Sequence, residues 1–230
     1  MPRMPKRVVP RDAAALVITR PGPHGISVLL GQRHRGHAFM PNKFVFPGGR
    51  VDPSDARAPH VGSLRPHVLA KLVHGCTPAR ARALALAAVR ETFEEAGLLI
   101  GRREEAPPHT RARAWAPFLA HGVVPALDLL EYVARAITPP GNQRRFDTRF
   151  FWVDAEFAHE ASGAALAGSG ELQGLRWVPL AETHALDLPE ATQMAVAEVA
   201  KRLAAADPRA LPVPIARFTR GGVRVDLIRG

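Results

Sequence analysis

The segment 83–98, ALALAAVRETFEEAGL, restricts the fold of this chain more than any other part of the sequence. If it is helical, at about 100° per residue three carboxylates share one arc: Glu91, Glu94 and Glu95. The opposite arc is apolar: Leu86, Val89, Phe93 and Ala96. We therefore expect a helix whose apolar arc packs inward and whose carboxylates form a concentrated negative patch that faces outward.

Two interpretations of this patch are open from the spacing alone. Like charges three and four residues apart destabilise a helix by a few tenths of a kcal/mol per pair. A bound cation would remove that cost, and hard oxygen ligands suit Mg²⁺ or Mn²⁺. The plainer alternative is a solvated acidic face, which the spacing by itself favours. Motifs elsewhere in the sequence are needed to choose between a cation site and a solvated acidic face.

Composition narrows the class of protein. The 230 residues are 47% hydrophobic, which is typical of a globular protein, and we expect one domain over 1–230. The single cysteine, Cys76, excludes an internal disulfide and fits a cytoplasmic location. No apolar run approaches about 18 residues and the basic start lacks the features of a signal peptide, so we expect no membrane segment.

The net charge of +10 comes almost entirely from arginine. These arginines are scattered, without a long basic run or an interleaved aromatic platform, so nucleic-acid binding is not expected. An anionic small molecule, such as a diphosphate, is the partner that this charge favours.

Local patterns predict the remaining elements. Strands are expected at 13–20, 26–33, 44–46, 129–137, 146–153 and 172–180. Helices are expected at 64–74, from Pro78 to Ala96 after the N-cap Thr77, weakly at 111–120, and at 188–205. Gly97 is the expected left-handed C-cap. Segment 155–170 is a candidate mobile lid, and 211–228 is a late strand or an extended arm.

Two adjacent glycines, Gly48 and Gly49, follow the short predicted strand at 44–46. Glycines at such a position let the backbone approach another group closely and offer a carbonyl as a metal ligand. Alone they indicate only a turn. Together with the acidic helix they resemble one known signature.

Here the chain resembles the Nudix hydrolases, whose signature is Gly, five residues, Glu, seven residues and then Arg-Glu-U-x-Glu-Glu-x-Gly-U, with U apolar. Residues 90–98, RETFEEAGL, match its second half except at Thr92. Gly49 and Asp55 match its first half, with aspartate where glutamate is usual. Between Asp55 and Arg90 lie 34 residues where the pattern has seven, a surplus of 27, and we interpret 56–82 as an insertion.

The resemblance implies an α/β fold, a Nudix-type α/β/α sandwich around a mixed sheet. It implies an enzyme that hydrolyses a nucleoside diphosphate linked to another moiety with Mg²⁺ or Mn²⁺. Glu94 and Glu95 would be the main metal carboxylates, and Glu91 a third ligand or the base that acts on water. The carbonyl of Gly49 would complete the metal site, with Gly48 beside the substrate. Arg90 would hold Glu91 in place through a charge-assisted hydrogen bond.

Other residues have alternative interpretations. Asp55 orients a ligand, binds the metal through water, or is a surface turn residue. The extra carboxylate that many family members supply from a loop is Glu171 or its rival Glu160. Three arginines are candidate contacts for substrate phosphates, although scattered arginines usually face solvent: Arg33, Arg144 and Arg145.

A narrower resemblance concerns the segments 29–33 (LLGQR), 39–49 (FMPNKFVFPGG) and 138–151. They are similar to the branch that contains peroxisomal coenzyme A diphosphatases, although no peroxisomal signal is present. This implies coenzyme A or an acyl derivative as substrate, with ADP-ribose, a nucleotide sugar or a dinucleotide as alternatives. A Nudix-like nucleotide sensor without catalysis is a further alternative. The insertion and the C-terminal arm, 206–230, are candidate homodimer contacts.

Overall fold

The hairpin predicted near the start of the chain lies in the middle of the main sheet. The computed structural model describes residues 8–36, 40–161, 170–219 and 221–229. Strand β1 (Arg11–Gly22) turns through Gly25, whose φ of +95° favours glycine, into β2 (Gly25–Arg33). Residues 13–19 of β1 are all buried, which is typical of a strand covered on both faces.

The other elements follow in chain order within the described residues. The strands are β3 (Phe44–Val45), β4 (Gly48–Arg50), β5 (Leu98–Arg103), β6 (Val123–Pro125), β7 (Glu131–Ile137), β8 (Phe146–Asp154), β9 (Ala158–Glu160), β10 (Leu172–Pro179), β11 (Val213–Thr219) and β12 (Gly222–Ile228). The helices are α1 (Pro66–Leu72), α2 (Pro78–Ala96), α3 (Ala116–Leu119) and α4 (Glu190–Leu203).

The main sheet is mixed. Its order is β10-β2-β1-β8-β7-β11-β12, with β3 paired to β2 and β4 paired to β1. Strands β1 and β8 are parallel, as are β7 and β11, and the other neighbours are antiparallel. A small antiparallel sheet, β6-β5-β9, lies apart from it.

Helices cover both faces of the main sheet. The larger apolar cluster joins one face to α1, α2 and α3, and includes Leu16, Leu84, Leu86 and Phe151. The smaller cluster joins the other face to α4 through Val17, Leu30 and Val199. The protein is therefore an α/β/α sandwich around a mixed sheet, as the sequence predicts.

The central helix begins and ends where its signals place it. The hydroxyl of Thr77 accepts a hydrogen bond from the backbone N–H of Arg80, and Pro78 occupies the first helical position. Gly97 ends the helix with a φ of +67°. These local interactions fix the residue at which the chain leaves α2 and enters β5.

Several expectations for the remaining elements were incomplete. The region 111–120 is helical only at Ala116–Leu119, and strands β4, β5 and β6 were not predicted. The segment 211–228 is a hairpin, β11–β12, that extends the main sheet through β7. Of the proposed lid, Ala158–Glu160 is a strand, whereas 162–169 lies outside the described residues. None of the helices that the structure describes has both the length and the apolar character needed to cross a membrane.

Candidate active site

The carboxylate arc of α2 does not face water as the helical pattern predicted. Glu95 is only 5% exposed, and Glu91 and Glu94 are partly buried. The reason is that α2 packs against β1 and also against β4 and the 3-10 turn Pro53–Arg57. The expected negative patch is therefore enclosed by backbone on one side.

Glu95 is held by the glycine strand. Its Oε2 accepts a hydrogen bond of 2.7 Å from the backbone N–H of Gly48. Burial raises the pKa of Glu95 to about 8, although this hydrogen bond opposes the rise. The earlier expectation that Glu95 lies on an exposed face was wrong, because β4 covers it.

Both glycines are required for close approach. A Cβ built on Gly49 would lie 2.4 Å from Cδ of Glu91 and 2.5 Å from its two carboxylate oxygens. A Cβ on Gly48 would lie 2.5 Å from the backbone oxygen of Ala14. Any side chain at either position would displace the Glu91 carboxylate or the neighbouring strand, so the sequence prediction of close backbone approach is confirmed.

Arg90 uses all its donors inside the site. Its Nε donates to Asp55 Oδ1 (2.9 Å), and Nη2 donates to Asp55 Oδ2 (3.2 Å) and to the backbone oxygen of Arg50 (2.9 Å). Its Nη1 donates to Glu91 Oε1 (2.9 Å) and Glu94 Oε2 (3.0 Å). A guanidinium has five N–H donors, so none is unsatisfied although Arg90 is 4% exposed. The expected hydrogen bond to Glu91 is present.

The charges of this cluster alter the pKa values of its members. Burial alone would lower the pKa of Arg90, but the hydrogen bond to Asp55 and the charges of Glu91, Asp55 and Glu94 raise it above its usual value. Burial raises the pKa of Glu91 to about 7, against the opposing charge of Arg90. Burial also raises the pKa of Glu94. Carboxylates this far from water and this close together disfavour their ionised forms.

Asp55 orients Arg90. It is fully buried, which excludes the surface-turn interpretation. In addition to Arg90 it accepts hydrogen bonds from the backbone N–H of Asp52 (2.8 Å) and from Nε1 of Trp115 (3.0 Å). Trp115 itself was missed by sequence reasoning. Its one signal is a large aromatic residue in the stretch RARAWAPF, since such a residue usually marks a buried anchor.

Thr92 departs from the family pattern without leaving a buried group unpaired. Its side chain is fully buried, where the pattern has an apolar residue. The hydroxyl donates a 2.8 Å hydrogen bond to the backbone oxygen of Ala88, one turn earlier. The substitution therefore fits the helix.

Of the two rival loop carboxylates, the structure brings Glu171 to the site. Its charge contributes to raising the pKa values of all three α2 glutamates. Burial lowers the pKa of Arg33, and the charges of Glu95 and Glu171 oppose this, so Arg33 belongs to the same cluster. Glu160 instead pairs with Leu98 in the small sheet.

The other two predicted arginines lie elsewhere. Arg145 is buried, with Nε donating to the backbone oxygen of Thr138 (3.0 Å) and Nη1 to that of Val8 (2.7 Å). Nε and Nη1 of its guanidinium therefore bind main chain beside the start of β1. Arg144 is exposed next to it, before β8.

A cavity of about 620 Å³ lies beside Leu98, at the C-terminal end of α2. The guanidinium of Arg20 stacks over the ring of Trp177 on its wall, 4.2 Å from the ring centre. Three acidic residues also line it: Asp154, Glu156 and Glu160. Strand β10 connects it to the α2 site, because Glu171 precedes the strand and Trp177 lies near its end.

The donor set at α2 suits a hard divalent cation. It offers the carboxylate oxygens of the α2 glutamates, and the backbone of Gly49 lies next to the carboxylate of Glu91. Among the described residues, no group of three or more His, Cys, Asp or Glu side chains has converged on one point. Glu91 and Glu94 are held instead by Arg90, and Glu95 by Gly48. The carboxylate oxygens are therefore chemically suited to a metal ion. If an ion bound here, the glutamates would give up hydrogen bonds to Arg90 and Gly48 and coordinate the ion instead.

Comparison with known proteins identifies the fold. No family model matches the chain. A crystal structure of a NUDIX hydrolase from Alicyclobacillus acidocaldarius is 28% identical, with a TM-score of 0.62 over 86% of this chain and 97% of that one. A MutT protein from Bacillus halodurans has a TM-score of 0.50 at 13% identity, over 94% of this chain and 97% of that one. The second similarity concerns the fold alone, and the first supports the Nudix superfamily.

Proposed function

We propose that this protein, a hydrolase of the Nudix fold that acts on a diphosphate bond, depends on Mg²⁺ or Mn²⁺ and cleaves nucleoside diphosphate derivatives into two monophosphates. The observation that supports this most is the buried cluster in which Arg90 connects Asp55, Glu91 and Glu94. A solvated acidic face would not need a guanidinium with all five donors engaged.

We propose that the ion is held by the α2 carboxylates, the carbonyl of Gly49 and Glu171. The ion, when bound, neutralises the diphosphate and lowers the pKa of a water molecule. Arg90 keeps Glu91 and Glu94 on the same side of α2, and Asp55 keeps Arg90 in place. Glu91, held by Arg90 and close to the backbone of Gly49, is either the third carboxylate ligand or the base that accepts the proton of the attacking water. Arg33 and the N–H of Gly48 contact the substrate phosphates.

Glu95→Gln tests the chemistry. The substitution retains the shape of a buried side chain but removes a charged oxygen, so we expect metal-dependent turnover to fall by about 10² or more. The matched control is Glu182→Gln, because Glu182 is exposed in the turn Leu180–Ala185 and should not affect turnover. Full activity of the Glu95 variant across the substrate panel below would overturn the assignment. Binding without turnover in the parent protein would indicate a nucleotide sensor.

The extra carboxylate is tested in the same way. We expect Glu171→Gln to raise the Mg²⁺ or Mn²⁺ concentration needed for half-maximal activity, because it removes a negative charge next to the other ligands. Glu160→Gln should leave that concentration unchanged. The opposite result would assign the role to Glu160.

Two substrate classes are supported by different observations. The narrower sequence resemblance favours coenzyme A or an acyl derivative. The cavity at the end of α2 favours ADP-ribose or a nucleotide sugar. Three acidic side chains line it, and they would repel the additional phosphate of coenzyme A but accept hydrogen bonds from sugar hydroxyls. The cavity is reached along β10, about 17 Å from Leu172 to Trp177 at the rise of a strand, so a second substrate moiety could extend into it.

A mass-spectrometric assay with Mg²⁺ decides between these classes. The panel is coenzyme A, ADP-ribose, a nucleotide sugar, NADH and diadenosine polyphosphates. If the cavity binds a sugar, Trp177→Leu should raise KM for ADP-ribose and leave KM for coenzyme A unchanged. A preference for coenzyme A in the parent would instead support the branch that the sequence resembles.

We also propose a cytoplasmic location. Its support is the single cysteine, Cys76, which is a free thiol and fits a reducing compartment. Fractionation of cells that express the tagged full-length chain would test this.

A further inference from the structure

Strand β12 presents an apolar stripe at the end of the main sheet. Its side chains alternate, and three large apolar ones are half exposed: Val223 (51%), Val225 (50%) and Leu227 (55%). Each lies beside a residue of β11, in the pairs Val223–Phe218, Val225–Ala216 and Leu227–Pro214. Phe218 packs in the cluster with α4, so the stripe lies on the α4 side of the sheet, beyond that helix.

The outer edge of β12 is free in the part of the chain that the structure describes, because β12 is the last strand of the sheet order. Edge strands are usually protected by charged side chains, especially lysine, by proline, by a bulge or by short length. The sequence of β12, GVRVDLI, has neither lysine nor proline, and its seven residues pair with β11 without a shift in register. Its two charges, Arg224 and Asp226, have opposite signs and lie on the other face.

We propose that β12 pairs antiparallel with β12 of a second copy of this chain, and that the protein is a two-fold symmetric dimer with one continuous sheet. The strand is self-complementary about Val225. In that register Arg224 lies opposite the partner's Asp226, and Val223 lies opposite the partner's Leu227. Val225 lies opposite the partner's Val225, so the apolar stripes of the two copies form one continuous apolar surface.

The alternative registers are disfavoured by charge. When one strand slides by two residues along the other, the apolar side chains of both copies still lie on the same face of the sheet. One such shift places Arg224 opposite the partner's Arg224, and the other places Asp226 opposite the partner's Asp226. Like charges directly opposite each other destabilise a strand pair, whereas opposite charges stabilise it. The charges therefore select the register that also joins the apolar residues.

Within one chain Asp226 already accepts from Arg224 Nε (3.1 Å) and is paired with Arg217 on β11. Arg224 is largely exposed, at 76% of its side chain, so it can reach across the edge without losing buried contacts. The two-fold axis is perpendicular to the sheet, and both α2 sites therefore lie on the same face of the dimer. Neither site is at the interface.

Sedimentation velocity of the full-length protein over a concentration series tests the proposal. Arg224→Glu and Asp226→Arg should each weaken the dimer about tenfold or more, because two symmetry-related pairs change from attraction to repulsion. Mixing these two variants should restore a heterodimer, since each chain then offers the charge that the other needs. The double variant should also dimerise, and thermal melts confirm that all variants fold.

Val225→Lys gives an independent test, because it places two like charges on the axis and should yield monomers that keep the hydrolase activity of the parent. A parent that is monomeric at high concentration overturns the proposal. A dimer that persists in both single-charge variants and in the Val225 variant also overturns it and assigns the contact to another surface. A mixture of the charge variants that stays monomeric contradicts the proposed register.

Discussion

Asp55→Asn is expected to destabilise the protein by about 3 kcal/mol, because it removes the charge that compensates buried Arg90. Oδ1 of Asp55 accepts from Arg90 and Trp115, and Oδ2 accepts from Arg90 and Asp52. In either orientation an asparagine would point its NH₂ group at two donors. Breaking a buried ion pair costs about 3–5 kcal/mol. We expect a cost at the lower end of this range, because Arg90 keeps its hydrogen bonds to Glu91, Glu94 and the backbone oxygen of Arg50.

Urea denaturation and thermal melting measure this loss. At about 2–4 °C per kcal/mol for a chain of this length, the midpoint should fall by roughly 6–12 °C. Turnover should fall about 10- to 100-fold, the usual effect of removing a group that orients a metal ligand. Asp52→Asn is the matched control. Asp52 is exposed and caps the 3-10 turn by accepting from the N–H of Ser54, a role that asparagine fills equally well.

Asp55→Glu separates charge from shape. Glutamate is the usual family residue and preserves the ion pair, but its extra methylene must enter a fully buried site, at a cost of about 1–3 kcal/mol. Activity should therefore survive better than in the asparagine variant, even where stability is similar. If Asp55→Asn matched the parent within about 0.5 kcal/mol, the range of ordinary surface substitutions, Arg90 would not depend on Asp55 and the reasoning would fail.

Three further substitutions test the same region. Gly49→Ala should abolish most turnover while the protein stays folded, because its Cβ would displace the Glu91 carboxylate, and steady-state kinetics beside a thermal melt would show this. Trp115→Phe should cost about 2–4 kcal/mol in urea denaturation, because it leaves Asp55 without one donor and replaces the buried indole by a smaller ring. Thr92→Val should change stability by less than about 1 kcal/mol. The hydroxyl's partner, the backbone oxygen of Ala88, lies inside the helix and keeps its helical hydrogen bond when the hydroxyl is removed.

The sequence predicts α2 well because its signals are local. The cap at Thr77, the proline at the first position and the left-handed Gly97 each act within one turn of the chain. The same applies to the hairpin of β1 and β2, whose turn lies between two apolar runs. Strands β5 and β6 lack this advantage, because they are short and pair only with each other and with β9.

The burial of the carboxylates could not be predicted from their spacing. Helical periodicity separates a polar arc from an apolar one, but it assumes that only the apolar arc is covered. Here the first part of the helix is rich in alanine, so it packs closely on several sides, and β4 approaches the acidic arc through two glycines. The paired glycines were visible in the sequence, yet their contact with Glu91 and Glu95 depends on residues more than 40 positions apart.

Long-range pairs account for the other differences. Nothing local connects Trp115 with Asp55, 60 residues earlier, or Arg145 with the carbonyl of Val8, 137 residues earlier. Arg144 and Arg145 are adjacent and chemically alike, but one is exposed and the other holds the main chain. A family resemblance can assign roles to residues within the motif, but not to scattered arginines outside it. For those arginines, only the folded structure shows which guanidinium lies within reach of backbone carbonyls.

The charge balance of the cluster explains why the site suits a cation. Five carboxyl groups share it: Asp55, Glu91, Glu94, Glu95 and Glu171. Two guanidinium groups oppose them, on Arg33 and Arg90. When all are ionised, negative charge exceeds positive, and burial makes that charge costly at Asp55 and Glu95 above all. Arg90 has no further N–H to donate, so its guanidinium cannot offset more of that charge. A divalent cation can, and the glycine strand leaves the Glu91 carboxylate uncovered by any side chain at position 49.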